Sequence, residues 1–99
     1  MNYKLLHTPE ALNDIEEAIA WYEIKQTGLG SEFAETVLDY LEYLTRNAHS
    51  HPAIREEYRE LVLKRFPYVI VYRIINEKEV IILGIIHTSK HPSNRRRRK

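Results

Sequence analysis

Arginine and tyrosine side chains are interleaved through the second half of the chain, in a pattern that could bind a phosphate backbone or a protein surface. Arg59 and Arg65 are six positions apart, so a strand would place them on one face, and Arg73 follows in the next apolar segment. Arginine with tyrosine on a sheet can bind RNA, and both residue types are enriched at protein–protein hot spots. The candidate residues for target or partner binding are Arg59, Arg65, Tyr68, Tyr72, Arg73, His87 and Lys90. The alternative, left open by the sequence, is that Tyr68 and Tyr72 are core residues.

Histidines are the other candidates for chemistry. His87 ends the last apolar segment, where it could act as a general base, contact a phosphate, or only cap a strand with a hydrogen bond. His49 and His51 form a possible metal pair, but no third ligand follows at a suitable spacing, and the chain has no cysteine. The segment at residues 28–30 has two glycines but lacks the Lys-Ser/Thr ending of a phosphate-binding loop. We therefore expect no metal and no cofactor.

The charges are strongly segregated, although the net charge is only +1. Residues 1–50 carry three basic and nine acidic side chains, whereas residues 51–99 carry twelve basic and five acidic ones. This asymmetry predicts a surface for a polyanion or an acidic partner. The longest apolar run, residues 80–86, is far shorter than the ~20 residues of a membrane-spanning helix, and the N-terminus does not resemble a signal peptide. We expect a cytoplasmic protein that makes no membrane contact.

Two amphipathic helices and a sheet should position these residues. A short strand at residues 2–7 precedes Thr8 and Pro9, a typical N-cap and first helical residue, and Gly28 should end this first helix. A second helix should span residues 31–47, and the short turn between the two predicts an antiparallel hairpin. The expected buried stripes are Leu12, Ile15, Ile19 and Tyr22 in the first helix, and Phe33, Val37, Leu41 and Leu44 in the second.

The remainder of the chain has the composition of strands. Residues 48–56 are expected to form a loop, and the expected strands are residues 57–66, 67–75 and 79–87. The sequence thus predicts an α+β fold, in which an N-terminal strand and an antiparallel helical hairpin precede a three-stranded antiparallel meander. One domain should span residues 1–92. Residues 93–99 should form a basic, mobile tail, whose cations are Arg95, Arg96, Arg97, Arg98 and Lys99.

The middle strand of this meander is apolar on both faces. One face carries Tyr68, Ile70, Tyr72 and Ile74, and the other carries Val69, Val71, Arg73 and Ile75. Two helices can cover only one face of a sheet. We therefore expect the second face to be covered by the chain's tail, by a second copy in a homodimer, or by a partner protein.

Four segments together resemble toxins of the RelE/ParE superfamily. They are residues 18–23 and 28–33 in the helical hairpin, and residues 59–73 and 86–90 in the strands. The resemblance implies a RelE/ParE-like fold and the toxin of a type II toxin–antitoxin pair, also described as a plasmid stabilisation protein. It also implies a protein antitoxin whose C-terminal segment wraps the toxin.

The superfamily has two activities, and the resemblance favours the ParE-like branch. RelE-type members cleave mRNA in the ribosome, whereas ParE-type members poison DNA gyrase and are not themselves nucleases. The ribonuclease branch commonly carries arginine in the stretch Tyr/His-Arg-Leu-Val-Tyr, where this chain has Val69. The alternative is a ribosome-dependent endoribonuclease that uses Arg65, Arg73, His87 and Lys90 on the RNA backbone. A further alternative is a homologue that is not toxic and only binds its partner.

Overall fold

Five strands form one sheet, and two helices pack on one of its faces, in a computed structural model that describes residues 2–55 and 57–90. The elements are β1 (Lys4–His7), α1 (Pro9–Lys25), α2 (Leu29–Asn47), β2 (Ala53–Arg55), β3 (Tyr58–Val62), β4 (Tyr68–Ile74) and β5 (Glu79–His87). The predicted α+β class and element order are confirmed. The predicted basic tail, residues 93–99, lies outside the described residues. Within those residues, no helix combines the length and apolar character needed to cross a membrane.

The start of α1 is as predicted, but the link between the helices is different. Thr8 is the N-cap, and its Oγ1 accepts the N–H of Ala11 at 3.0 Å. The helix ends at Lys25, before Gly28, so the prediction that Gly28 ends α1 is wrong. Gly28 has a φ of 90° and instead lies at the N-cap of α2, which begins two residues earlier than expected. The carboxylate of Glu23 holds this turn, because it accepts the N–H groups of Gly28 and Gly30 at 2.9 and 3.0 Å.

The buried face of α2 matches the prediction, whereas that of α1 is rotated. Phe33, Val37, Leu41 and Leu44 are all buried. On α1 the buried residues are Ala11, Ala18 and Tyr22, with Ile15 and Ile19 partly buried. Leu12, predicted to be buried, is 48% exposed. The buried face of α1 therefore runs through Ala11, Ala18 and Tyr22, and Leu12 lies to one side of it.

The sheet has the order β1-β5-β4-β3-β2. Strands β3, β4 and β5 form the predicted antiparallel meander, while β1 pairs with β5 in parallel. The prediction of a loop over residues 48–56 is wrong in part, because Ala48–Ser50 forms a 3-10 turn and β2 adds an edge strand beside β3. The expected strand over residues 57–66 is shorter, because the chain bends after Val62 to reach β4.

Tyr72 lies at the centre of the core. It is fully buried, and its hydroxyl donates a hydrogen bond of 2.7 Å to the carbonyl oxygen of Ala48. Burial raises the pKa of Tyr72 to about 12 from its usual 10.0, although the charge of nearby Arg59 works in the opposite direction. The sequence left open whether Tyr72 is a core residue or a binding residue, and the structure shows that it is a core residue.

Replacing Tyr72 by phenylalanine is expected to lower the free energy of unfolding at neutral pH by ~1–3 kcal/mol, because the Ala48 carbonyl would be left buried without its donor. The variant should also lose less stability in alkali. In the wild type, the unfolded state gives up the Tyr72 proton near pH 10.0 and the folded state only near 12, so stability falls as the pH rises through this window. The expected alkaline loss is ~2–3 kcal/mol.

Urea unfolding at neutral pH and at several values above pH 10 measures both effects. Tyr43→Phe is the matched control, since the Tyr43 hydroxyl makes an exposed hydrogen bond of 2.9 Å to His51. Its change should be within ~0.5 kcal/mol. An equal alkaline loss in the wild type and in Tyr72→Phe would contradict the assignment.

Candidate functional site

Tyr68 and His87 meet at the end of the sheet where β4 begins and β5 ends. The two residues are paired in the β4–β5 ladder, and their rings pack edge to face with centroids 5.3 Å apart. Lys90 follows in a 3-10 turn, Thr88–Lys90, and lines a surface groove together with Tyr68 and His87. Three of the candidate binding residues are therefore brought together here.

The imidazole of His87 has a defined hydrogen-bonding role. Its Nδ1 accepts the backbone N–H of Ser89 at 3.1 Å, and Ser89 Oγ lies 2.9 Å from the same nitrogen. A backbone amide can only donate, so Nδ1 presents its lone pair and the proton of the neutral ring is on Nε2. In this geometry His87 offers a groove ligand an N–H donor rather than a free basic nitrogen.

A groove beside His87 separates α1 from the end of β5 and has a volume of about 410 Å³; we call it the α1–β5 groove. Pairing of β1 with β5 stops at Ile82, and beyond that point Asp14 Oδ2 accepts the N–H of Ile85 at 3.0 Å. This bond ties α1 to the edge of β5 that β1 no longer covers, while the other edge remains paired with β4. Tyr68 forms part of the wall, and burial raises its pKa, with smaller contributions from Tyr22 and Asp14.

The α1 wall of this groove was missed by the sequence analysis. Asp14, Glu17, Ala18 and Trp21 all line the groove. Their spacing of three and four residues marks one face of a helix, and that spacing is visible in the sequence. The face was overlooked because it mixes charged, small and aromatic side chains and so has no apolar periodicity.

Arg65 lies in the connection between β3 and β4 and is held against the hairpin. Its guanidinium forms an ion pair with Glu32 in the first turn of α2, and it lies over the ring of Phe66 at 5.0 Å from the centroid. Both charged side chains are about half exposed, at 57% and 48%, so the pair contributes at most ~1 kcal/mol. Arg65 is thus restrained but still accessible to a target.

The remaining candidates lie at the opposite end of β4. Arg59 pairs in register with Tyr72 and donates a hydrogen bond to the carbonyl oxygen of His51. Arg73 is exposed, and it is five positions along β4 from Tyr68, a separation of about 17 Å. Tyr72 is buried and cannot contact a target in the folded state. The candidates therefore form two groups rather than one site.

His49 and His51, which lie between α2 and β2, are each hydrogen-bonded to a tyrosine. The Tyr3 hydroxyl is hydrogen-bonded to His49, and the Tyr43 hydroxyl lies 2.9 Å from Nε2 of His51. In the part of the chain that the structure describes, no group of three or more His, Cys, Asp or Glu side chains is arranged to hold a metal ion.

The sheet face away from the helices, which we call the open face, carries Tyr58, Val62, Val69, Val71 and Ile75, together with the charged Glu60 and Arg73. Val62 and Ile75 are 57% and 42% exposed. Val69, which pairs with Val62 and Ile86, is buried on this face. As predicted, the helices leave this side of the sheet uncovered.

Residues 5–92 match the family described as the ParE toxin of type II toxin–antitoxin systems. The chain belongs to the ParE toxin family. The resemblance to RelE/ParE superfamily toxins stated from the sequence is thereby confirmed. Among curated proteins, no sequence matches this ParE-family chain significantly.

Solved structures of toxin–antitoxin complexes contain the same fold. The chromosomal ParDE system of Pseudomonas aeruginosa aligns with a TM-score of 0.74 at 20% identity, covering 86% of this chain and 95% of that one. The RelBE2 complex of Mycobacterium tuberculosis aligns with a TM-score of 0.62 at 21% identity, covering 88% and 99%. The DinJ–YafQ complex of Escherichia coli aligns with a TM-score of 0.55 at 11% identity, covering 90% and 96%. At these identities the alignments show the fold.

Val69 occupies the position at which the resemblance implies arginine in the ribonuclease branch. Its side chain is 5% exposed and lies between two apolar cross-strand neighbours, Val62 on β3 and Ile86 on β5. A buried valine supplies neither charge nor a hydrogen bond. The surface near Val69 is therefore suited to apolar contact.

Proposed function

We propose that this chain acts in the cytoplasm as the toxin of a type II pair, that it inhibits DNA gyrase, and that a cognate antitoxin neutralises it. The observation that carries the proposal is the buried Val69 at the position where the ribonuclease branch commonly has arginine. RNA cleavage needs a group that stabilises the charge developing on the phosphate and a base that takes the 2′-hydroxyl proton. Val69 can do neither.

The two groups of candidate residues support the same proposal. His87 presents Nε2–H, because Nδ1 is occupied by the N–H of Ser89, so the ring is not arranged as a base. Arg73 lies about 17 Å along β4 from Tyr68, which pairs with His87. Cations that are dispersed in this way are better suited to binding a large protein surface than to surrounding one phosphate.

The antitoxin should cover the open face. Tyr58, Val62 and Ile75 are exposed there, and exposed apolar side chains on an uncovered sheet face are typical of a protein interface. The helical hairpin is the other candidate surface, since Ile24 on α1 is 84% exposed.

A ribosome-dependent endoribonuclease is the second candidate. Tyr68, His87 and Lys90 lie together in the α1–β5 groove, and such a group could contact an RNA backbone. If this reading holds, Arg65→Ala and His87→Ala should each reduce mRNA cleavage by ~10²–10⁴-fold.

Purified toxin added in excess to gyrase and supercoiled DNA should accumulate gyrase–DNA cleavage complexes. In cells, induction should arrest DNA synthesis within minutes, before protein synthesis, when each is measured by pulse labelling. Early arrest of protein synthesis with cut mRNA, abolished in His87→Ala, would instead support the ribonuclease. Arrest of neither would favour a homologue that only binds its partner.

A further inference from the structure

Strand β5 contains a β-bulge at Leu83, and a carboxylate of α1 lies beside it. The residues before and after the bulge, Ile82 and Gly84, pair with two adjacent residues of β4, so Leu83 is an extra residue on β5. We propose that Asp14 of α1 is a positioning residue, which selects the bulged register of β5 and so fixes the side chains that the end of this strand presents to the groove. The inference concerns the register of β5 and does not depend on the target of the toxin.

The bulge determines which face of the sheet carries each residue that follows it. With the bulge, His87 lies opposite Tyr68 and lines the α1–β5 groove, while Ile85 lies in the core and is 2% exposed. Without the bulge, the pairing would move by one position, so Ile86 would lie opposite Tyr68 and His87 would point to the open face. The group formed by Tyr68 and His87 therefore exists in the bulged register alone.

The side chains of β5 specify this register only in part. Residues 80–83 and 85–86 are all apolar, so the strand has no alternation of apolar and polar residues that would distinguish one register from the other. Gly84 is the exception, because the unbulged pairing would put it in place of Ile85 opposite Ile70, in the core. Core packing thus favours the bulge, and any contact that is specific to the bulged register adds to this preference.

The hydrogen bond to Asp14 is specific in this way. Successive residues of a strand direct their N–H groups to opposite edges, and the bulge reverses this alternation, so the N–H of Ile85 points away from β4 and donates to Asp14 Oδ2 at 3.0 Å. In the unbulged register the same N–H would face β4, and Asp14 would lose its donor. A second contact from the start of α1 supports the same register, because the hydroxyl of Thr8 donates to the carbonyl oxygen of Leu83 at 3.3 Å.

The chain has no cysteine, so an introduced pair can report the register through the rate of disulfide formation. In the double variant Tyr68→Cys/Ile86→Cys, which we call the slip reporter, the two side chains point to opposite faces of the bulged sheet, so a disulfide can form only after β5 slips by one position. Adding Asp14→Ala should accelerate this disulfide about 10–100-fold, the range expected for loss of a hydrogen bond to a charged group. Adding Asp14→Asn should accelerate it much less, because the amide oxygen can still accept the N–H of Ile85.

Two controls distinguish a local slip from general opening of the sheet. Ile74→Cys/Ile81→Cys has the same offset of one position on the other side of the bulge, so Asp14→Ala should leave the rate of its disulfide unchanged. Glu17→Ala removes an exposed carboxylate from the same groove wall and should change neither rate. Equal acceleration of both cysteine pairs by Asp14→Ala would indicate general opening, and an unchanged rate in the slip reporter would show that core packing alone sets the register. Either result, or equal acceleration of the slip reporter by Asp14→Ala and Asp14→Asn, would overturn the proposal.

Discussion

The variant Phe33→Ala is expected to lose ~3–5 kcal/mol of its free energy of unfolding. Phe33 is fully buried, and its ring centroid lies 5.2, 5.1 and 5.0 Å from those of Tyr22, Phe66 and Tyr68. Truncation would leave a cavity between the helices and the start of β4, and three aromatic neighbours would each lose a ring contact. Since small domains are typically stable by only ~5–15 kcal/mol, this one change should remove a large part of the total.

Leu38→Ala on the same helix is the matched control. Leu38 is 63% exposed, so its truncation should change stability by less than ~0.5 kcal/mol. Urea unfolding of the two variants and the wild type, followed by far-UV circular dichroism, measures the difference. If Phe33→Ala and Leu38→Ala unfolded at the same urea concentration, the aromatic cluster would not be the core of this fold.

The contrast between the two helices shows what periodicity can predict. On α2 the large apolar residues and the buried face coincide, so the stripe through Phe33 and Leu44 follows from the sequence. On α1 the closest approach to the core is made by Ala11 and Ala18, which contribute little to an apolar pattern. Leu12 fits the apolar spacing, but it is 48% exposed and lies one position round the helix from the buried Ala11.

Contacts between distant segments could not be predicted from the sequence. Glu23 fixes the helical turn by binding Gly28 and Gly30, a role that its position on an exposed helix face does not reveal. The pairing of β1 with β5 and the edge strand β2 depend on tertiary packing rather than on local preference.

The candidate site depends on such contacts even more strongly. The β4–β5 register shifts between Val71 and Tyr72, and beyond this irregularity Tyr68 lies opposite His87. The sequence contains both residues but does not determine a register shift of one position. Without this shift, a different residue of β5 would lie opposite Tyr68. The groove wall on α1 depends on the same register, because Asp14 binds the N–H of Ile85.

A carboxylate on the open face is expected to weaken antitoxin binding while the fold remains intact. Val62→Glu places the charge at a position that is 57% exposed, so the free energy of unfolding should change by no more than ~0.5 kcal/mol. If the antitoxin covers this face, the carboxylate would be buried against apolar side chains without a partner. A loss typical of a hot spot, ~2 kcal/mol, corresponds to about 30-fold weaker binding.

Ile24→Glu is the matched variant on the helical hairpin, at an even more exposed position. Titration calorimetry with the antitoxin that co-purifies from the host compares the two dissociation constants, and urea unfolding checks that both variants are folded. Weaker binding by Val62→Glu alone supports docking on the open face. Weaker binding by Ile24→Glu alone moves the interface to the hairpin, and unchanged binding by both would rule out contact with either surface.

Growth assays separate this interface from the toxic activity. Val69 and its neighbours belong to the open face, whereas Tyr68, His87 and Lys90 line the α1–β5 groove at the end of the sheet. If the antitoxin docks on the open face and the target binds the groove residues, Val62→Glu should remain toxic but should no longer be rescued by co-expressed antitoxin. A Val62→Glu variant that is folded, binds antitoxin weakly and has lost toxicity would show instead that target and antitoxin share the open face.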